Sequence, residues 1–209
     1  MLRSNRKLLC FALVLVGTPA AAEDPGGFYL RAFGGLSGLQ RSDVTVGGST
    51  APLSFSALTL AGGAIGYNYG DSPWRSEIEF AYRSSEANNL AAGLGSTGEY
   101  ASTSIMLNGR YTFQTSGAFQ PYVGAGVGYV TEIDFDLGGG PNAGEYSDRG
   151  LLAGQMIIGA DMDLGGNWAF FGEARYFVTE SPTLKNASGA TLSADYRSLD
   201  LLAGITYSF

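Results

Sequence analysis

Residues 74–83 read Trp-Arg-Ser-Glu-Ile-Glu-Phe-Ala-Tyr-Arg, and this stretch decides the fold class. Successive side chains of a β-strand point to opposite sides, so the odd and even positions of a strand form two separate faces. Here the odd positions carry four charged side chains, whereas the even positions carry mainly aromatic and aliphatic ones. The stretch is therefore predicted to be a strand whose two faces meet very different surroundings.

The same alternation recurs along the chain and defines eight segments. Seven further segments show it, with the sharpest pattern in the last: 28–36, 58–67, 101–111, 121–130, 152–164, 168–177 and 199–209. The links between them alternate in length, with short ones at 68–73, 114–118 and 165–167 and long polar ones at 37–55, 84–99, 131–150 and 179–197. Short turns at one end and long loops at the other are typical of an eight-stranded antiparallel up-and-down transmembrane β-barrel, an all-β fold.

The cost of placing charge in hydrocarbon indicates which face is inside. An arginine facing the middle of a bilayer costs about 2–4 kcal/mol, so the charged face must line the lumen and the apolar face must meet lipid. The aromatic residues at the segment ends then lie where interfacial girdles are expected. A soluble, lipocalin-like barrel is the alternative, with its apolar face inward. Its exterior would be poor in lysine, because Lys185 is the only lysine after residue 22.

The lumen is predicted to hold paired charges. Glu77 and Arg110 lie at matching heights on neighbouring strands, as do Arg175 and Asp200, and each such couple is expected to form an ion pair. The charges could form an ion path or a paired-carboxylate site, or they could be a plug of ion pairs. The plug is preferred because an eight-stranded barrel is just wide enough for side chains to fill. The full set of inward charges is Arg31, Arg75, Glu77, Glu79, Arg83, Arg110, Asp161, Asp163, Glu173, Arg175 and Asp200.

The first residues predict export. A basic start, an apolar run from Leu8 to Val16 and the end Ala20-Ala21-Ala22 are typical of a signal peptide at 1–22, leaving a barrel domain at 23–209. The run is too short to span a bilayer as a helix. Cys10, the only cysteine, lies in this segment.

Composition excludes several kinds of chemistry. The chain has no histidine, which excludes Ser-His-Asp and Cys-His catalytic systems and histidine-bound zinc. Its pI near 4.5 disfavours a nucleic-acid partner, because phosphate backbones require a basic surface. We therefore expect a protein that is not an enzyme and that needs no cofactor.

The third long link is the most acidic. Glu132, Asp134 and Asp136 share one face if the preceding strand continues beyond the membrane. These carboxylates could bind Ca²⁺ or help divalent ions to bridge to lipopolysaccharide, but they lack the spacing of a calcium loop. A solvated hairpin is the preferred interpretation, and no metal is predicted.

Three stretches carry a family resemblance. Residues 121–129 (Pro-Tyr-Val-Gly-Ala-Gly-Val-Gly-Tyr), residues 173–176 (Glu-Ala-Arg-Tyr) and the terminal Tyr207-Ser208-Phe209 resemble opacity-type outer membrane β-barrels, relatives of the OmpA and OmpX barrels. The resemblance implies a Gram-negative outer membrane. It also implies that Tyr207 and Phe209 form the signal read by the outer-membrane assembly machinery.

The expected function is a structural or surface-interaction role. Loops on a rigid scaffold are the usual place for recognition, and here they could contact outer-membrane lipids and lipopolysaccharide, host surfaces or neighbouring cells. A narrow channel for small solutes or ions is the alternative. A barrel that binds a lipid or another small ligand is a third, weaker hypothesis.

Overall fold

The fold comes from a computed structural model of the chain. It describes residues 26–39, 42–46, 49–53, 58–88, 97–138, 144–180, 183–185, 191–193 and 197–209. The predicted signal peptide, residues 1–22, lies outside the described residues. Within them, no helix is long and apolar enough to cross a membrane.

Strands make up nearly all of the described chain. In order they are β1 (Gly27–Leu39), β2 (Ser42–Val46), β3 (Ser49–Leu53), β4 (Leu58–Asn68), β5 (Trp74–Asn88), β6 (Thr97–Thr112), β7 (Phe119–Gly138), β8 (Gly144–Asp148), β9 (Leu151–Gly165), β10 (Trp168–Thr179), β11 (Thr183–Lys185), β12 (Thr191–Ser193) and β13 (Arg197–Ser208). Eight of them, β1, β4, β5, β6, β7, β9, β10 and β13, pair in sequence order, all antiparallel. Pairing of β1 with β13 closes the ring. The predicted eight-stranded antiparallel barrel is confirmed.

The faces of the wall follow the predicted alternation. Ile78 and Phe80 of β5 are 62% and 53% exposed on the outside, whereas Glu77 and Glu79 are each 1% exposed inside. A soluble barrel would reverse this pattern. The wall is thus an apolar exterior around a polar interior, as a membrane barrel requires.

Aromatic rings stack along the short-turn end of the barrel. Trp74 packs edge-on against Tyr111, with ring centroids 5.2 Å apart, and Trp168 packs against Tyr207 at 4.8 Å. Tyr129, on β7, lies outside near the opposite end. These rings mark the two interfaces between which the wall is apolar.

The turns at this end are tight, as predicted. Gly165 and Gly166 join β9 to β10 with φ of 91° and 62°, a left-handed conformation that glycine adopts without strain. Gly70, with φ of 67°, serves the turn between β4 and β5.

The predicted long loops are wrong in part, because several strands continue into them. β5 extends to Asn88, β6 starts at Thr97 and β7 runs to Gly138, where it pairs with β8 in a hairpin. The short strands then extend this sheet in the order β8, β11, β12, β2 and β3. The polar composition of these segments predicts that they are exposed to water, but it does not exclude strands. A strand in water can form by pairing its backbone groups with a neighbouring strand, and it needs no apolar face.

A β-bulge lies where β7 leaves the apolar wall. Thr103 is opposite Glu132 while Ser104 is opposite Val130, so Thr131 is an extra residue on β7. Because side chains alternate, one extra residue exchanges the two faces of the strand. Val130 and Ile133 are therefore both buried inside.

Candidate functional site

The lumen contains a balanced set of charged side chains. Asp163 was predicted to be inside, but it is exposed and caps the turn by accepting a hydrogen bond from the Gly165 amide, because it lies beyond the end of the lumen. The remaining five arginines and five carboxylates carry no net charge: Arg31, Arg75, Arg83, Arg110, Arg175, Glu77, Glu79, Asp161, Glu173 and Asp200.

A central layer is built around Glu77. Arg110 Nε lies 3.1 Å from Glu77 Oε1, as the sequence predicts for this couple, and Arg31 Nη1 lies 3.2 Å from the same oxygen. The Tyr29 hydroxyl donates a third contact at 2.9 Å. One carboxylate of β5 thus contacts side chains from both β1 and β6.

Arg175 extends this layer through two other carboxylates. Its Nη1 lies 2.6 Å from Glu79 Oε1, and its Nη2 lies 2.7 Å from Glu173 Oε2. The second oxygen of Glu173 accepts from Arg31 Nη1 at 3.2 Å. Glu173 therefore joins the two arginines across the lumen.

The predicted pairing of Arg175 with Asp200 is wrong. Their backbones are directly opposite each other, but Asp200 accepts from Arg83 Nη2 at 2.8 Å, from Ser198 at 2.8 Å and from Ser37 at 2.5 Å. A short aspartate stays near its own strand, and the long arginine reaches the next layer instead. Asp200 and Arg83 form a separate outer layer towards the long-loop end.

Aromatic rings complete the filling. The guanidinium carbon of Arg31 lies 3.4 Å from the centroid of the Phe171 ring, and that of Arg110 lies 4.3 Å from the Tyr122 ring. The Phe177 ring lies 4.3 Å from Arg83. Such cation–π contacts gain strength where water is excluded. The inward position of Tyr122, expected from the inward glycines of its strand, is confirmed, whereas sequence reasoning missed the inward Tyr29, which alternation from Arg31 would have placed inside.

Glycines provide the space for these tyrosines. A Cβ at Gly66 would collide with the Tyr29 ring, and one at Gly159 would collide with Tyr122 and with the Gly172 carbonyl. Inward glycine thus lets a large ring lie flat against the neighbouring strand.

Taken together, these contacts fill the middle of the described lumen with paired side chains. Arg31, Glu77, Arg110 and Glu173 each have side-chain exposures of 0–1% and are held by several partners. A buried carboxylate or guanidinium remains charged when it is paired and hydrogen-bonded. In the part of the chain that the structure describes, no group of three or more acidic or cysteine side chains is arranged to hold a metal ion.

The acidic segment lies outside this lumen. Because of the bulge, Glu132, Asp134 and Asp136 share the outer face of β7 beyond the apolar wall, and Asp136 is directly opposite Glu145 of β8. Arg149 pairs with Glu132. Partial burial raises the pKa of Asp134, and the negative charges of Glu132, Glu145 and Asp136 raise it further. The segment is a strained, like-charged part of the hairpin.

The C-terminal aromatics lie at the short-turn end. The amide of Phe209 donates to the Phe28 carbonyl at 3.0 Å, and the Tyr207 ring packs edge-on against Phe209 at 5.3 Å. The last residue therefore continues the ring closure between β13 and β1. Its role as an assembly signal stays a prediction.

Comparison with known sequences decides the family. Residues 8–209 match the family model described as the outer membrane protein beta-barrel domain. The chain belongs to this family. The outer membrane barrel has two similar curated relatives: outer membrane protein W of Vibrio cholerae, 26% identical with 90% of this chain and 89% of the relative covered, and outer membrane protein PagN of Salmonella typhimurium, 25% identical with 96% and 98% covered.

Solved structures show the same fold. Neisserial surface protein A has a TM-score of 0.60 at 17% identity, covering 89% of this outer membrane barrel and 100% of that chain. OprG from Pseudomonas aeruginosa has a TM-score of 0.56 at 21% identity, covering 88% and 96%. The family match and the two outer membrane relatives confirm the predicted location, the outer membrane of a Gram-negative cell. In such barrels the short turns face the periplasm and the long loops face outward.

Proposed function

We propose that this outer membrane barrel is a non-catalytic protein that acts through its outward-facing hairpins and loops, as a structural and surface-interaction component. The observation that supports this is the contrast between its two polar regions. Inside, ten charged side chains neutralise one another. Outside, four carboxylates lie in the described part of the β7–β8 hairpin, Glu132, Asp134, Asp136 and Glu145, and Arg149 pairs with the first of them.

The lumen is a poor place for transport or catalysis on physical grounds. Moving a solute past Glu77 would break contacts to Arg31, Arg110 and Tyr29 together. Breaking a buried pair typically costs about 3–5 kcal/mol. The chain also lacks the histidine used by many hydrolases. The narrow channel is therefore the less favoured function.

A planar bilayer measurement tests the filled lumen. The refolded chain should give no discrete current steps, whereas a general porin added to the same bilayer should give them. Regular current steps from the wild-type chain, lost in a Tyr122→Trp variant that enlarges the plug, would favour the channel.

The outward hairpin is the proposed contact region, with lipopolysaccharide and host or neighbouring cell surfaces as the partners to test. Because Asp136 is opposite Glu145, replacing residues 136–145 by Asn-Gly leaves Phe135 and Tyr146 paired across a two-residue turn. With Ca²⁺ or Mg²⁺ present to bridge carboxylates to lipid phosphates, cells that display this trimmed barrel should lose binding to lipopolysaccharide vesicles or to cultured epithelial cells.

A matched variant separates charge from shape. Asp134→Asn, Asp136→Asn and Glu145→Gln together keep the hairpin but remove its charge. If charge carries the contact, this variant and the trimmed barrel lose binding equally. Equal binding by wild type and the trimmed barrel, at equal surface amounts, would exclude the hairpin as the contact region.

A further inference from the structure

Hydrogen-bonding atoms without partners collect at the periplasmic end of the lumen. The atoms at this end are Arg31 Nε, Arg110 Nε and Nη1, Thr112 Oγ1, Asp161 Oδ1 and Thr206 Oγ1, and Gln155 Oε1 is a further unpaired atom higher in the lumen. All five residues at this end are at most 6% exposed. Thr112 ends β6, and Thr206 is directly opposite Arg31 near the end of β13. Buried polar atoms of this kind cost about 1–3 kcal/mol each unless another molecule pairs with them.

The contacts of Asp161 leave gaps. Arg75 Nη1 donates to Asp161 Oδ2 at 3.2 Å. Arg31 Nη2 and Arg110 Nη2 each lie 3.9 Å from an oxygen of the same carboxylate, which is too long for a direct hydrogen bond. Polar groups separated by such distances are commonly bridged by water.

The mixture of unpaired atoms identifies what fills the gaps. The guanidinium nitrogens only donate, the Asp161 oxygen only accepts, and the threonine hydroxyls do both. A small anion would satisfy the arginines but would be repelled by Asp161, and a cation would meet the reverse difficulty. Water satisfies all of them, and buried waters usually make about three such hydrogen bonds.

Exposure shows from which end water enters. The Arg75 side chain is 20% exposed and that of Asp161 is 8% exposed, whereas those of Arg31, Arg110 and Glu77 are 0–1% exposed. The Arg83–Asp200 layer beyond them is equally dry. At the outer end, Val130, Ile133 and Leu151 are buried apolar side chains.

We infer that the periplasmic end of the lumen is a blind, water-filled chamber around Asp161, open to the periplasm and closed above by the layer of Arg31, Glu77 and Arg110. It admits water and neutral solutes of similar size. The chamber is independent of the proposed surface role, since it depends only on the arrangement of the lumen.

Cysteine reactivity tests the chamber, because residues 23–209 contain no native cysteine. Each test position is compared with a control position on the same strand whose side chain also points inward. On β6, Thr112→Cys is the test and Ser104→Cys the control. On β13, Thr206→Cys is the test and Ser198→Cys the control. Residues 23–209, refolded in detergent, are treated with methyl methanethiosulfonate, a small neutral reagent, and modification is followed by mass spectrometry. Both ends of the barrel are accessible in a micelle.

The cysteines at 112 and 206 should react at least about tenfold faster than those at 104 and 198, since thiol reactivity follows solvent access. All four should react alike in urea, and a heat-dependent shift in gel mobility reports folding. If one threonine variant does not fold, the other strand carries the comparison. A maleimide attached to polyethylene glycol should not react at any of the four positions.

Three results would overturn the inference. Equal protection of all four cysteines would mean a dry periplasmic end, and it would leave the proposed surface role untouched. Fast modification at all four would mean a lumen open from both ends, which would also contradict the plug. Reaction with the large maleimide at position 112 or 206 would mean a wide mouth rather than a chamber of water size.

Discussion

Substitution of Arg110 by alanine tests how much the central layer contributes to stability. Arg110 has 0% side-chain exposure, contacts Glu77 at 3.1 Å and stacks on Tyr122 at 4.3 Å. Removing one partner of a buried pair usually costs about 3–5 kcal/mol. Glu77 keeps contacts to Arg31 and Tyr29, so we expect a loss near the lower limit, about 3 kcal/mol.

The measurement is urea unfolding in lipid vesicles, read from the loss of the folded gel band. Arg149→Ala is the matched control, because Arg149 makes an ion pair in water, with 74% of its side chain exposed, and should change stability by about 1 kcal/mol or less. In the double variant Arg110→Ala, Glu77→Gln, part of the loss should return because the buried carboxylate is no longer charged. If Arg110→Ala unfolds at the same urea concentration as wild type, the layer does not stabilise the barrel.

Three further predictions concern the wall, the hairpin and the terminus. Gly66→Val should prevent most folding, because its Cβ would overlap the Tyr29 ring, whereas Gly109→Val, with open space outside, should fold; the yield of the folded gel band compares them. The β7–β8 hairpin should become more stable as pH falls towards the ordinary pKa of aspartate, since the raised pKa of Asp134 means that the folded form binds the proton more tightly. Amide protection factors, which correct for the intrinsic slowing of exchange at low pH, should rise, and Asp134→Asn should reduce that rise. Deletion of Phe209 should lower the amount of barrel recovered in the outer-membrane fraction of expressing cells, and an unchanged amount would contradict its role in assembly.

Alternation along each strand was sufficient to predict the fold and the two faces of the wall. In β5 a charged side chain facing lipid costs so much that only one orientation is stable, and Glu77 and Ile78 lie accordingly. The short turns were also predictable from local sequence. In the turn between β9 and β10, for example, Gly165 and Gly166 adopt the left-handed conformation that a tight turn needs.

Partners inside the lumen could not be predicted in the same way. Neighbouring positions follow from register, but a long arginine ends far from its own backbone. Arg31 thus reaches Tyr122 and Glu173 across the barrel, on strands that are not its neighbours. Register alone predicted Arg175 with Asp200, and the alternative partners Glu79 and Glu173 depend on the three-dimensional packing of the whole interior.

The bulge at Thr131 shows how one residue separates the two polar regions of the protein. If β7 continued without it, the face that carries Gly126 and Val130 would next carry Glu132 and Asp134, and these carboxylates would point over the outer end of the lumen. The Asp200 carboxylate lies at this end of the lumen and is paired with Arg83 in a layer that water does not reach. Glu132 and Asp134 would add negative charge next to that layer. With the extra residue, Ile133 is buried inside and the acidic side chains turn to the outside. The same residue therefore keeps these carboxylates out of the neutral interior and places them on the outer face of the hairpin.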